Sequence, residues 1–142
     1  SHMMTNVPGI FAAGNVTSIY DLVDYVSKAG EVAGRNAARY AHNNEHDTQP
    51  GIDLKPGANV GNIIPHKIRL DGERDRELLL TLRPNALLER MVKVELKHGD
   101  ETVISFREQY ARPAEMMVHA LKEREIARLR EIETGELTAV IS

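Results

Sequence analysis

The residues best placed to do chemistry lie early in the chain. Gly14-Asn15-Val16 closes the apolar run Ile10-Phe11-Ala12-Ala13, and Tyr20-Asp21-Leu22-Val23 opens a helical pattern soon after. Small residues at Ala12, Ala13 and Gly14 let a backbone pass close to a ligand. Asn15, just past the run, can both donate and accept hydrogen bonds. The first turn of a helix presents backbone N–H groups with no intrahelical partner to anything electron-rich, and in α/β sheets ligands sit outside strand ends of this kind. The turn from Gly14 to Val23 is thus a candidate ligand loop. An ordinary strand-turn-helix unit without a ligand has the same spacing.

Elsewhere the chemistry-bearing residues are scattered. His42 and His46 stand four apart with Glu45 between, a spacing that would align two imidazoles on a helix. No third ligand stands nearby, and a solvated helix end explains them. His66, His98 and His119 fall on strand or turn positions. Asp71-Gly72-Glu73-Arg74-Asp75-Arg76 mixes both signs around a glycine and reads as a solvated turn. No Ser/His/Asp grouping and no paired carboxylates emerge, so no catalytic residue and no metal ligand is assigned.

The elements that must position the loop follow from the hydrophobic pattern. Residues 7–18 hold a short apolar run between glycines, as in a buried parallel strand feeding a tight turn. From about Ile19 to His42 apolar residues recur at three and four, and Ala29, Gly30, Ala33, Gly34, Ala37 and Ala38 form a small face that another backbone could approach closely. Residues 43–61 are polar with Pro50, Gly51, Pro56, Gly57 and Gly61, and read as a linker. The period then changes to two. Strands are expected over 63–70, 77–82, 91–97, 103–110 and 116–121, with a hairpin turn at His98-Gly99-Asp100-Glu101. Antiparallel strands at this spacing argue for a small Ig-like β-sandwich over 62–121. Lys122 to Glu133 has a thin apolar stripe and reads as a surface helix, with Gly135 as its stop. The expected class is α+β: a strand-helix unit (4–42), a linker, the sandwich, and a C-terminal helix and tail (122–142).

Composition narrows the function classes. The chain has 142 residues, with 18 basic against 21 acidic side chains and a net charge of −3. A nucleic-acid binder would show a basic excess or stripe, and neither is present. The absence of cysteine excludes disulfides, thiolate metal sites and a redox-active thiol pair within these residues. No apolar stretch is long enough to span a bilayer and no signal peptide opens the chain, so a cytoplasmic protein is expected. Ser1-His2-Met3 reads as a purification-tag scar, and the sequence after it reads as the interior of a longer protein.

Val7-Pro8-Gly9-Ile10-Phe11-Ala12-Ala13-Gly14-Asn15-Val16 closely resembles the second flavin-contacting motif of FAD- and NAD(P)-dependent pyridine nucleotide-disulfide oxidoreductases, the thioredoxin-reductase-like group. The Asn-Val form followed by Asp21-Leu22-Val23-Asp24, together with Arg112-Pro113-Ala114-Glu115-Met116, is similar to the branch found beside glycerol-3-phosphate dehydrogenase genes, which carries an extra C-terminal β-domain. Asn15 stands where the family's usual pattern has Asp. The resemblance covers 7–41 strongly and 60–121 moderately. It implies that residues 4–42 are one strand and one helix of a Rossmann-type FAD domain. Gly14, Asn15 and Val16 would line the ribityl and phosphate side of FAD, and Asp21, Leu22 and Val23 would sit at the helix start near the flavin carbonyl. It also implies a parent that passes hydride from NAD(P)H through FAD to an acceptor. The family's Gly-x-Gly-x-x-Gly loop, NAD(P) domain and Cys-x-x-Cys are absent here, so the chain alone is expected to bind no FAD and to be inactive. Its β-domain would hold a second copy, a partner dehydrogenase subunit or the rest of the parent chain. The alternative is a self-standing β-sandwich binding module with no redox role. Arg112 and Glu115 are expected to brace a turn.

Overall fold

The computed structural model describes residues 3–43, 51–70, 78–132 and 134–142. Within them the chain is mixed α+β, with two helices and two sheets of mostly antiparallel strands. It divides into two compact units, Ser1–Gln49 and Pro50–Ser142.

In the first unit the N-terminal segment folds back on itself. Met4 and Phe11 form a single antiparallel bridge, closed by Thr5 N–H to Ile10 O at 2.8 Å and Ala12 N–H to Met3 O at 2.9 Å. Gly9, at φ +82°, makes the turn. The expected buried strand over Ile10–Ala13 is therefore no more than one bridge, and Ile10 is 54% exposed. A strand is created by its neighbours' backbone groups, and here only Met3–Thr5 supplies any. A short 3-10 turn, Gly14–Val16, leads on to helix α1, Val23–Asn43. Its buried stripe is Ala29 and Ala33. The N-terminal segment lies along the helix, with the Phe11 ring edge-on to Tyr40 at 6.0 Å. Space there is tight: a Cβ on Gly14 would stand 3.3 Å from Val26 Cγ1.

The second unit holds β1 (Ile52–Pro56), β2 (Val60–Ile64), β3 (Lys67–Ile68), β4 (Leu79–Pro84), β5 (Val92–His98), β6 (Glu101–Glu108), β7 (Met117–Ala120), α2 (Glu123–Ile132) and β8 (Gly135–Ile141). A five-stranded sheet runs β3-β1-β8-β5-β6 and a three-stranded one β2-β4-β7. The β5–β6 hairpin closes through Gly99-Asp100 with His98 opposite Glu101, and Gly99 takes the positive φ of +59° that the tight turn needs. Val92, Val94 and Leu96 of β5 point inward, as their alternation requires. They meet Ile63, Leu80, Leu82, Ile104, Leu129, Leu137 and Ile141 in one continuous core.

Three expectations are corrected here. Residues 43–61, read as a linker, contain β1 and the first residues of β2. Ile52 and Leu54 are buried because β1 pairs in parallel with β8, Ile52 opposite Gly135 and Leu54 opposite Leu137. The tail expected after the C-terminal helix is β8, an inner strand of the larger sheet. One parallel pair thus stands among otherwise antiparallel ladders. Gly135, expected as the helix stop, instead opens β8 at φ +137°. The Asp71–Arg76 turn lies outside the described residues, as does His46.

Candidate functional site

The candidate loop is a braced turn followed by an open helix end. Extended Ala13 delivers the chain to Gly14, which is buried and sits at φ +71°. Thr17 closes the turn twice on the Gly14 carbonyl, through its backbone N–H at 2.9 Å and its hydroxyl at 2.7 Å. Asn15 Oδ1 accepts the Tyr20 N–H at 3.3 Å, tying the turn to the segment that enters the helix. The first helical bonds run from Tyr25 and Val26 N–H to Leu22 O. The N–H groups of Val23 and Asp24 therefore lie at the open end of α1.

Of the six residues singled out, the structure places Asn15 and Val16 in one turn above buried Gly14, and Asp21, Leu22 and Val23 at the start of α1. The Asn15–Tyr20 bond brings the two groups together. All but Gly14 are exposed. Val16 is 81% and Val23 78% exposed, with Ile19 and Leu22 also bare. The Asn15 carboxamide N–H₂ and the α1 backbone donors thus stand beside an exposed apolar rim.

A second cluster surrounds Arg112. Its guanidinium grips Glu89 with two bonds, Nε to Oε1 at 2.8 Å and Nη2 to Oε2 at 3.1 Å, and reaches Glu115 through Nη1 at 2.8 Å. Its Cζ lies over the Tyr110 ring, 4.1 Å from the ring centre. The hydrogen bond from Arg112 holds the Glu89 carboxyl below its ordinary range. The hydrogen bond to Glu115 pushes the Tyr110 hydroxyl up, and the two carboxylates drive Arg112 further above its already high value. A shallow cleft of about 270 Å³ beside the cluster is lined by Glu108, Tyr110, Arg112, Glu115, Met116 and Val118, among others. Through Nε, Nη1 and Nη2, Arg112 holds Glu89 and Glu115 on either side of it. The cluster fastens the 110–116 turn to the loop before β5, beside the paired bridge of Leu88 and Ala111. Glu89 had no signal in the sequence, being 23 residues from its partner on a loop that only the fold brings near.

The histidines form no common site. His66 Nε2 lies 3.4 Å from Asn62 Oδ1, His98 Nδ1 lies 3.1 Å from Glu136 O, and His119 pairs with Glu125. Among the described residues no group of three or more His, Asp or Glu side chains could hold a metal, and no helix is long and apolar enough to cross a membrane.

No family model matches the chain, and no curated protein or solved structure matches it either.

Proposed function

We propose that this chain is the C-terminal portion of a flavin-dependent oxidoreductase that passes hydride from NAD(P)H through FAD to an acceptor. Gly14, Asn15, Val16, Asp21, Leu22 and Val23 would form one edge of the FAD site. The observation that carries the reading is the Val7–Val16 motif, with Gly14 at positive φ, and an Asn-braced turn that opens onto a 21-residue helix. When bound, the flavin supplies a two-electron acceptor and donor. The chain's own part is to bind and orient: Gly14 admits the close backbone approach, Asn15 offers its amide N–H₂, and the Val16–Val23 rim supplies apolar cover. In this reading residues 4–42 are a strand and helix of a Rossmann-type domain, and the β-rich unit is an appended sandwich-type interaction module. The remaining walls of the pocket belong to the parent protein, so the chain alone is inactive.

The exposed small residues of α1 favour the same reading. A Cβ added to Gly30 or Gly34 meets nothing within 4 Å, so among the described residues nothing crowds these two glycines in the helix interior. In the parent they would let another backbone close in.

The test is the absorbance spectrum of the full-length parent before and after anaerobic NADH or NADPH. Flavin bands that bleach with one nucleotide are expected. A colourless parent that takes up no added FAD overturns the proposal. It would favour the second reading, a β-sandwich binding module without redox chemistry, which rests on the self-contained core of the second unit.

A further inference from the structure

At eight residues β6 is the longest described strand, and it lies at one edge of the larger sheet. The opposite edge, β3, has only two residues. An edge strand offers a row of backbone groups to any further strand, and proteins blunt such edges with short strands, bulges, charges or covering elements. β6 is blunted at one end. Val103 is the extra residue of a bulge, since Ile104 lies opposite Leu96 and Thr102 opposite Lys97, and Arg128 Nη1 of α2 donates to its carbonyl at 3.1 Å. The direction of the remaining backbone groups follows from β5. Lys93 exchanges both backbone bonds with Ser142, at 2.9 and 3.0 Å, so Lys93, Glu95 and Lys97 turn their backbone groups to β8. Bonded and non-bonded pairs alternate in antiparallel ladders, so Val92, Val94 and Leu96 bond β6 through Glu108, Phe106 and Ile104. Ser105 and Arg107 therefore aim N–H and C=O away from the sheet, and among the described residues no strand pairs with them there. Both side chains are exposed on the outer face, while Phe106 between them turns inward and stacks on His119.

We propose that this edge pairs with β6 of a second copy of the chain, antiparallel and centred on Phe106, joining the two larger sheets into one. A two-fold pairing of this kind is self-complementary by construction, and the side chains select its register. Centring on Ser105 would need the Val103 carbonyl that Arg128 already holds. Centring on Arg107 opposes two guanidinium groups and centring on Glu108 opposes two carboxylates, and like charges directly opposite are destabilising. Centring on Phe106 sets each Ser105 opposite the partner's Arg107, joined by backbone hydrogen bonds in both directions. The two Phe106 rings then meet at the close, non-hydrogen-bonded position, where aromatic pairs stabilise. The charges agree with this register. Within one copy Arg107 lies opposite Lys93, a like-charge pair, and it has no ion pair among the described residues. Across the junction it faces the partner's Ser105, a small residue, with the partner's Glu95 on the strand beyond, about 10 Å away at two inter-strand spacings. An arginine side chain reaches over a serine toward that carboxylate. Glu95 Oε1 is taken by Lys93 and Thr102, while Oε2 stands 3.9 Å from Lys97 and has room to accept. The pairing uses the second unit alone and does not depend on the flavin reading.

The test is sedimentation velocity of the whole 142-residue chain over a concentration series, with S105P and R107E as variants. A concentration-dependent dimer is expected. Proline is tolerated on an edge strand where its missing N–H faces solvent, so S105P should keep the far-UV circular dichroism of the unaltered chain. It removes two of the junction's backbone bonds and should weaken the dimer about tenfold or more. R107E relieves the opposition to Lys93 within one copy but turns a carboxylate toward the partner's Glu95, so it too should weaken the dimer. Should S105P fail to fold, amide exchange of the unaltered chain decides. The Ser105 and Arg107 amides should gain protection as protein concentration rises, while that of Phe106, bonded to β5, is protected throughout. A chain that stays monomeric at millimolar concentration, a dimer that folded S105P leaves intact, or outward amides whose protection ignores concentration would each overturn the pairing.

Discussion

The placement of β8 at the heart of the larger sheet can be tested with two leucines. Leu137 is fully buried, while Leu87, on the loop before β5, is 64% exposed. Leu137→Ala removes three carbons from the core, a transfer loss of about 2.4 kcal/mol at about 0.8 kcal/mol per buried methylene. Relaxation around the site is limited, because β8 is held by β1 on one side and β5 on the other. Leu54 directly opposite is fixed in the same parallel ladder. A residual cavity adds to the cost, which places the total at roughly 3–4 kcal/mol, inside the usual range of about 2–5 for a buried leucine. For a unit of this size, about 4–8 °C of Tm is lost per kcal/mol, so a fall of at least about 12 °C is expected. Leu87→Ala should stay within about 0.5 kcal/mol of the unaltered chain. Thermal and urea unfolding followed by far-UV circular dichroism measures both. If the two variants prove equally mild, the C-terminal strand is not the inner strand described here.

The glycines make opposite predictions at two sites. A Cβ on Gly57 would stand 2.6 Å from Thr138 Cγ2 and 2.8 Å from Ala139 O, so Gly57→Ala should destabilise by about 1–3 kcal/mol in urea unfolding. Gly30→Ala, in open space on α1, should raise the stability of that helix by up to about 1 kcal/mol, read as increased helix signal in this chain. On the proposed flavoprotein reading, the same substitution should lower FAD retention in the parent, whose backbone would close on the small face. On the larger sheet, Glu95 is kept below the ordinary carboxylate range first by the Lys93 hydrogen bond at 2.7 Å and then by Thr102 at 2.9 Å. A carboxyl depressed in the folded state adds stability above its unfolded pKa of about 4.3, and that stability disappears as pH falls through the lower folded value. Glu95→Gln should therefore lower the urea midpoint at neutral pH and shrink its loss on acidification. Two parallel acid limbs would show that Glu95 contributes nothing to the pH dependence.

What could be read from the sequence was local. The β5–β6 hairpin declared itself because Val92, Val94 and Leu96 alternate and Gly99 sits where a positive φ is needed, all within a few residues. Helix α1 was legible from its three-and-four spacing over five turns. β1 was hidden because its pattern has only two apolar members, Ile52 and Leu54, between Pro50-Gly51 and Pro56-Gly57, and those punctuators outvote a five-residue strand. β8 shows the alternation Leu137, Ala139, Ile141, yet its partner in the parallel ladder lies some eighty positions earlier, and no local signal reports a parallel pairing at that distance. Those two strands are hidden for the same reason, since the ladder between them joins segments far apart in the sequence. The same reasoning bears on the candidate site. Ile10–Ala13 carries as good a strand pattern as β1, and it fails to become one because only Met3–Thr5 is there to pair with it. A segment with a buried-strand sequence, an exposed Ile10 and a glycine turn already set for close backbone approach has its local half in place and lacks its neighbours. That is the physical content of the proposal that it belongs to a larger flavin domain, on which pairing with further strands should convert one bridge into a ladder.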